Sequence, residues 1–169
     1  MDNNFTRTYN PVADLFSGEV CAECRYCCFF SEDDIWELPV ISDDALRVLD
    51  GKPGFSGDVS YSYSDGKRFF SPVYNDEHLF RCPALGGNGC VLGDERPLDC
   101  RLYPFRIVLR GGERFLAIAK DCRSGIDDAE LAEFILKKNL SREMLRLADS
   151  GEINVVDYDE KYYTILHLH

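Results

Sequence analysis

The pattern of apolar and polar residues, with its turn pairs, predicts three β-hairpins along the chain, the first marked by strict alternation. Val59, Tyr61 and Tyr63 alternate with Ser60, Ser62 and Ser64, and Asp65-Gly66 is a turn pair before Lys67-Arg68-Phe69-Phe70. The run from 105 to 109, the pair Gly111-Gly112 and the run from 114 to 119 predict a second hairpin. Residues 153 to 168 have β-rich composition and predict a third, turning near Asp157-Tyr158-Asp159-Glu160. Helical signals lie between and after these hairpins. Ser31-Glu32-Asp33-Asp34 predicts a helix start, with Pro39 as its stop after Leu38. Ser42-Asp43-Asp44 starts another, with Ala45, Leu46, Val48 and Leu49 on its apolar side and Gly51 and Pro53 ending it. Asp127-Asp128 caps a third, whose Leu131, Phe134 and Ile135 share a face, and Ser141 restarts a helix through Met144, Leu145 and Leu147 to Gly151. Pro97 opens a short helix that carries Cys100. Residues 1 to 20 read as an irregular lead-in with a short helical turn near 12 to 16.

These elements describe an α+β fold: a small single domain over residues 1–169, with short hairpins and helices organised around a cysteine-ligated metal centre. The motif core runs from 21 to 122, and the C-terminal helices and hairpin from 126 to 169. A chain of 169 residues with 45% hydrophobic content can bury its own core. The lone Trp36 is expected in that core or at its boundary. No run of 18 apolar residues is present and the N-terminus has no secretory pattern, so the expectation is a cytoplasmic protein in a reducing compartment, away from membranes. The net charge of −11 argues against nonspecific binding to nucleic acid or anionic lipid and leaves a protein substrate or partner, basic or neutral, as the expected kind.

Chemistry enters with the cysteines. Cys21, Cys24, Cys27 and Cys28 fall within eight residues, and Cys82, Cys90, Cys100 and Cys122 are dispersed. A disulfide framework suits small secreted proteins rather than this chain, and four buried structural thiols in eight residues are implausible, so metal ligation is the expectation. The C-x2-C-x2-C spacing of Cys21, Cys24 and Cys27 is that of a loop around an iron–sulfur cubane. Zinc competes, because a C-x2-C pair joined by thiols from a second segment makes a tetrahedral four-cysteine site. Eight thiolates would concentrate negative charge, and arginines flank them: Arg25 after Cys24, Arg81 before Cys82, Arg101 after Cys100 and Arg123 after Cys122. His78, four residues before Cys82, and the terminal His167 and His169 are weaker ligand candidates. No nucleophile motif, phosphate-binding loop or dinucleotide fingerprint occurs.

The order Cys21-x2-Cys24-x2-Cys27-Cys28, then Cys82-Pro83-Ala84-Leu85, Cys90 and Arg96-Pro97-Leu98-Asp99-Cys100-Arg101-Leu102-Tyr103-Pro104-Phe105 resembles the CxxCxxCC cysteine-cluster family, described as zinc- or iron-chelating proteins. Its longer relatives include flagellin lysine N-methylase. That resemblance implies an iron–sulfur centre acting with S-adenosylmethionine on protein lysines. The chain departs from it in having Arg25 and Tyr26 where a glycine often follows the second cysteine, and it lacks a C-x3-C-x2-C loop and a glycine-rich methyltransferase loop.

The reading that follows is a cysteine-cluster protein holding one four-iron four-sulfur centre, with zinc as the alternative. Its ligands are Cys21, Cys24 and Cys27 or Cys28, with distal cysteines drawn from Cys82, Cys90, Cys100 and Cys122. Arg96 and Arg101 are expected beside the sulfurs or on a bound anion, and Pro97 and Pro104 fix the backbone about Cys100. Three classes remain: an enzyme of methyl or electron transfer, a binding module with a closed structural metal, and a metal carrier with exchangeable thiolates.

Overall fold

The computed structural model describes residues 11, 15, 24, 26–52, 61–122 and 126–167. Apart from Leu15, the predicted turn near 12 to 16, together with the start of the first hairpin at Val59 and Ser60 and with Cys21, Arg25, Arg123 and His169, lies outside them.

An α+β single domain is built on the strongest hairpin signal. β7 (Phe105–Arg110) and β8 (Glu113–Ala119) pair antiparallel in full register, with Phe105 opposite Ile118 and Arg110 opposite Glu113. Their turn needs two residues in the left-handed region, and Gly111 and Gly112 supply φ of 59° and 82°. Alternation along β7 gives the sheet two buried faces. Phe105 and Ile107 pack on one side with Leu116 and Ile118, against α3 (Asp128–Lys137) and α4 (Leu140–Asp149) through Leu131, Ile135, Met144 and Leu147. Phe134 stacks on Phe105 with ring planes 6° apart. Arg106 and Val108 point to the other side, where Ala117, Val156 and Tyr163 are buried and Trp36 packs across Tyr162 and Tyr163.

The third predicted hairpin is corrected. β9 (Val155–Asp157) and β10 (Tyr163–Ile165) do not pair with each other. The strand order is β10-β8-β7-β9, with β9 parallel to β7 and β10 antiparallel to β8. The β7–β8 hairpin has two open edges, and each terminal strand saturates one of them.

A second apolar cluster sits in the cysteine-bearing half. α1 (Asp43–Asp50) starts as predicted, with Ser42 Oγ accepting from the Ala45 N–H at 3.1 Å, and buries Ala45 and Leu49. These meet Phe30, Phe70, Phe80, Ala84 and Leu92, with Cys82 and Cys90 at the margin. The hairpin of β2 (Tyr61–Ser64) and β3 (Lys67–Phe70) closes through Asp65 and Gly66, at φ of 50° and 75°. The helix expected from 31 to 38 is not formed. Phe29–Ser31 is instead a strand, β1, paired with β4 (Leu79–Arg81), and only Ile35–Glu37 makes a 3-10 turn. The Asp34 carboxylate turns back to the Ser31 N–H, a local bond that competes with helix, and Pro39 leaves no room for another turn. Ser141 lies inside α4, whose cap position is Asn139 at φ 52°. Among the described residues no helix is long and apolar enough to cross a membrane.

Candidate metal centre

Four short elements bring the cysteines in from distant parts of the sequence. The 3-10 turn Tyr26–Cys28 carries Cys27 and Cys28 into β1. The β1–β4 ladder continues one step past its last pair, where the Cys28 carbonyl accepts from the Cys82 N–H at 2.8 Å. Cys82 then opens a tight turn, its carbonyl accepting from Leu85 N–H at 3.0 Å, into the small hairpin of β5 (Leu85–Gly86) and β6 (Gly89–Cys90). Cys90 pairs with Leu85. Cys100 lies in α2 (Leu98–Leu102), where its N–H donates to the Pro97 carbonyl at 2.9 Å.

The electrostatics report which of these thiols are neighbours. Cys100 is raised well above the ordinary thiol value by burial first, then by Cys27, Cys82, Cys90 and Asp99. Cys82 is pushed up to about 12, chiefly by burial, with Cys90 and Cys27 adding to it. Cys90 is raised by burial and by Cys27. Cys27 is raised by its hydrogen bond with Cys28, then by burial and the Cys28 charge. Cys27, Cys82, Cys90 and Cys100 therefore share one electrostatic neighbourhood, where each thiolate disfavours the next. Two compensations are built in. The Cys82 sulfur accepts the Ala84 N–H, and the Cys90 sulfur accepts the Leu92 N–H. Such bonds favour thiolate and orient its lone pairs.

Arginines add positive charge, as the sequence implied, but not all from the expected positions. Arg96 lowers the Cys90 pKa, and Arg81 lowers that of Cys82 while its Nη2 donates to the Leu85 carbonyl at 2.6 Å. Arg101 is buried, its pKa lowered by burial against the pull of Glu95, with Cys100 beside it. Arg106, a charged residue inside an apolar strand, lowers the Cys27 pKa from the sheet.

Arg106 belongs to a buried network that was not singled out in the sequence. Asp99, adjacent to Cys100, is 3% exposed. It accepts from Arg106 Nη1 at 3.0 Å, from the Val40 N–H at 2.9 Å and from the Asn154 N–H at 3.0 Å. Every one of these partners is an N–H donor, the pattern of an ionised carboxylate, although burial raises the Asp99 pKa against them. Arg106 Nη2 donates to the Glu37 carbonyl at 3.0 Å, and Asn154 Nδ2 to the carbonyls of Trp36 and Leu38 at 2.9 and 3.0 Å. The Tyr163 hydroxyl donates to the Glu37 carboxylate. The network thus pins α2, and with it Cys100, to the sheet and to the segment following β1. Its one sequence signal is Arg106 on the same strand face as Val108.

The other candidates fall elsewhere. Cys24 is exposed, and Cys122, half-buried after β8, acts with Cys27 on the Tyr103 phenol. The described cysteines Cys24, Cys27, Cys28, Cys82, Cys90, Cys100 and Cys122 are all free thiols. His78 is exposed, its Nδ1 4.0 Å from Glu32, and His167 is exposed. Asp127 is a helix cap, its carboxylate accepting the Glu130 N–H at 2.9 Å. Among the described residues, Cys27, Cys82, Cys90 and Cys100 included, no three His, Cys, Asp or Glu side chains stand where they could together hold a metal ion. The chain matches no protein-family model, no curated protein and no solved structure.

Proposed function

We propose that this chain is a metal-binding cysteine-cluster protein whose centre is held by Cys27, Cys82, Cys90 and Cys100, with Cys21, Cys24, Cys28 and Cys122 as the remaining thiols from which ligands can be drawn. The observation that carries it is the convergence of four thiols from four chain segments into one electrostatic neighbourhood, with N–H donors on two of the sulfurs. With their pKa values raised, these thiols are protonated and uncharged in the metal-free protein, and the like-charge penalty arises only when their protons are lost. A soft cation that replaces their protons turns that mutual penalty into ligation. In this reading Arg81, Arg96 and Arg106 offset the excess negative charge of four thiolates, and Arg101 stands beside Cys100.

A four-iron four-sulfur cluster is the preferred occupant, because the run from Cys21 to Cys27 has cubane-loop spacing. It would supply one-electron transfer. Zinc is the second reading, favoured by a convergent set of four sulfurs, the complement of a tetrahedral ion. Lysine modification with S-adenosylmethionine rests on the family resemblance alone and is not part of the proposal.

Metal, sulfide and absorption analysis of protein purified without oxygen tests the reading. About four irons and four sulfides per chain, with a broad visible band, establish the cluster. One or two colourless zincs give the site to zinc, and a preparation that takes up neither metal on reconstitution overturns the proposal.

A further inference from the structure

An open cleft of about 1000 Å³ runs between β9 and one face of the β2–β3 hairpin. We infer that it binds an extended, basic peptide segment by adding a strand to the outer edge of β9, which no described residue pairs, a role independent of the metal centre.

The first ground is the backbone. β9 ends the four-stranded sheet, and only its inner side meets β7. Val155 lies opposite Ile107 and Asp157 opposite Leu109, and the Tyr158 N–H donates to the Leu109 carbonyl at 2.8 Å. In a parallel ladder alternate residues address the neighbour, so the N–H and C=O groups of Val155 and Asp157 point outward. No partner for them occurs among the described residues. An unpaired edge of this kind is a template for one more strand.

The second ground is charge. Asp33, Asp65, Asp157 and Asp159 line the cleft, all exposed, against Lys67 and Lys161. The Lys161 ammonium is occupied over the Tyr162 ring, 5.0 Å from its centroid. A lysine- or arginine-bearing strand laid along β9 would meet carboxylates from both walls, whereas an acidic strand would meet repulsion. The aromatic surfaces of Trp36 and Tyr162 beneath suit the apolar residues that alternate with the charges.

The test uses the full chain and a capped ten-residue peptide of alternating lysine and valine. Its counterparts are a glutamate–valine peptide and the lysine–valine peptide N-methylated throughout, which keeps the charge and loses every backbone donor. Binding is followed by fluorescence anisotropy and by amide shifts. The expected result is saturable binding of the basic peptide, with shifts centred on residues 155–159 and 62–67. Affinity should fall about tenfold or more on N-methylation and be absent for the acidic peptide. The double variant Asp33→Lys with Asp157→Lys, both at exposed positions, should lose affinity while keeping its melting temperature; the peptide-side comparison holds even if that variant misfolds. Equal binding of the N-methylated peptide reduces the effect to polyelectrolyte attraction and overturns the proposal. So do shifts centred elsewhere, no binding at millimolar peptide, or a stable dimer paired through β9 that excludes the peptide.

Discussion

Asp99 and Arg106 carry a cost that only their mutual arrangement offsets. A guanidinium buried to 6% exposure and a carboxylate buried to 3% must each be desolvated, and the gain depends on good geometry and on the remaining N–H donors. Removing one partner strands the other. Asp99→Ala leaves Arg106 charged in the interior and the Val40 and Asn154 N–H groups without an acceptor, so it should cost about 3–5 kcal/mol, read as a lower urea midpoint. Asp149→Ala removes the surface partner of Arg114 and should cost about 0–1 kcal/mol. Equal losses would mean that the buried network is not what holds α2. Glu37 gives a pH signature at the same scale. Its pKa is raised from 4.5 by burial, against Arg106 and the Tyr163 hydroxyl. A carboxyl raised in the fold binds its proton more tightly there than in the unfolded chain. Its stabilising contribution is complete below 4.5 and is lost as pH rises through the folded value. Asp34 and Asp99, raised chiefly by burial, act with the same sign. Thermal melts of Glu37→Gln in chelator should therefore decline less steeply than wild type across that interval, and a parallel decline would remove Glu37 as the source. Of the four thiols in the proposed centre, only Cys27 belongs to the run of four in eight residues that spacing marks, and the dispersed Cys82, Cys90 and Cys100 carry no such signal of their own. Glu37 and Asn154 were not legible either, since nothing local separates a buried carboxylate or amide from a surface one when its partners lie about a hundred residues away.

At the scale of elements, hairpins with their own turn chemistry were readable and long-range pairings were not. Asp65-Gly66 and Gly111-Gly112 specify their strands locally, and the caps Ser42 and Asp127 specify their helices. β9 and β10 follow from the two edges left open by β7–β8, which is a property of the assembled sheet. The segment at 31–38 failed for a related reason: its cap-like residues satisfy a turn, and the ladder with β4 decides its fate. The β5–β6 hairpin is the element on which the proposed metal site most depends, because it alone separates Cys82 from Cys90. A Cβ on Gly86 would meet Val91 Cγ1 at 2.7 Å and the Gly89 carbonyl at 3.3 Å. Gly86→Ala should therefore overpack the hairpin by about 1–3 kcal/mol and weaken metal uptake. The double variant with Val91→Ala removes the closer contact and should recover part of both. Full additivity of the two substitutions would show that the side-chain contact does not set the hairpin.

Across the whole molecule, the packing is divided. One core joins the sheet to α3 and α4, and a separate cluster of Phe30, Phe70, Phe80, Leu49 and Leu92 carries Cys82 and Cys90 at its margin. The cysteine-bearing part rests on short strands and 3-10 turns, whose few ladder hydrogen bonds leave their amides to exchange readily when opened. A metal bound across Cys27, Cys82, Cys90 and Cys100 would close the loops between them and so stabilise that part selectively. Hydrogen exchange distinguishes this from a metal that stabilises the fold as one body. On chelation, the Cys82 and Val91 amides, bonded to the Cys28 and Ala84 carbonyls, should lose protection. The amides of β7 and β8 should keep theirs, because their protection comes from the sheet and the helices packed on it. Serine at Cys27, Cys82, Cys90 or Cys100 should reproduce that pattern without chelator. Uniform loss over both regions would make the Asp99–Arg106 network, which spans them, strong enough to couple the two cores into one cooperative unit.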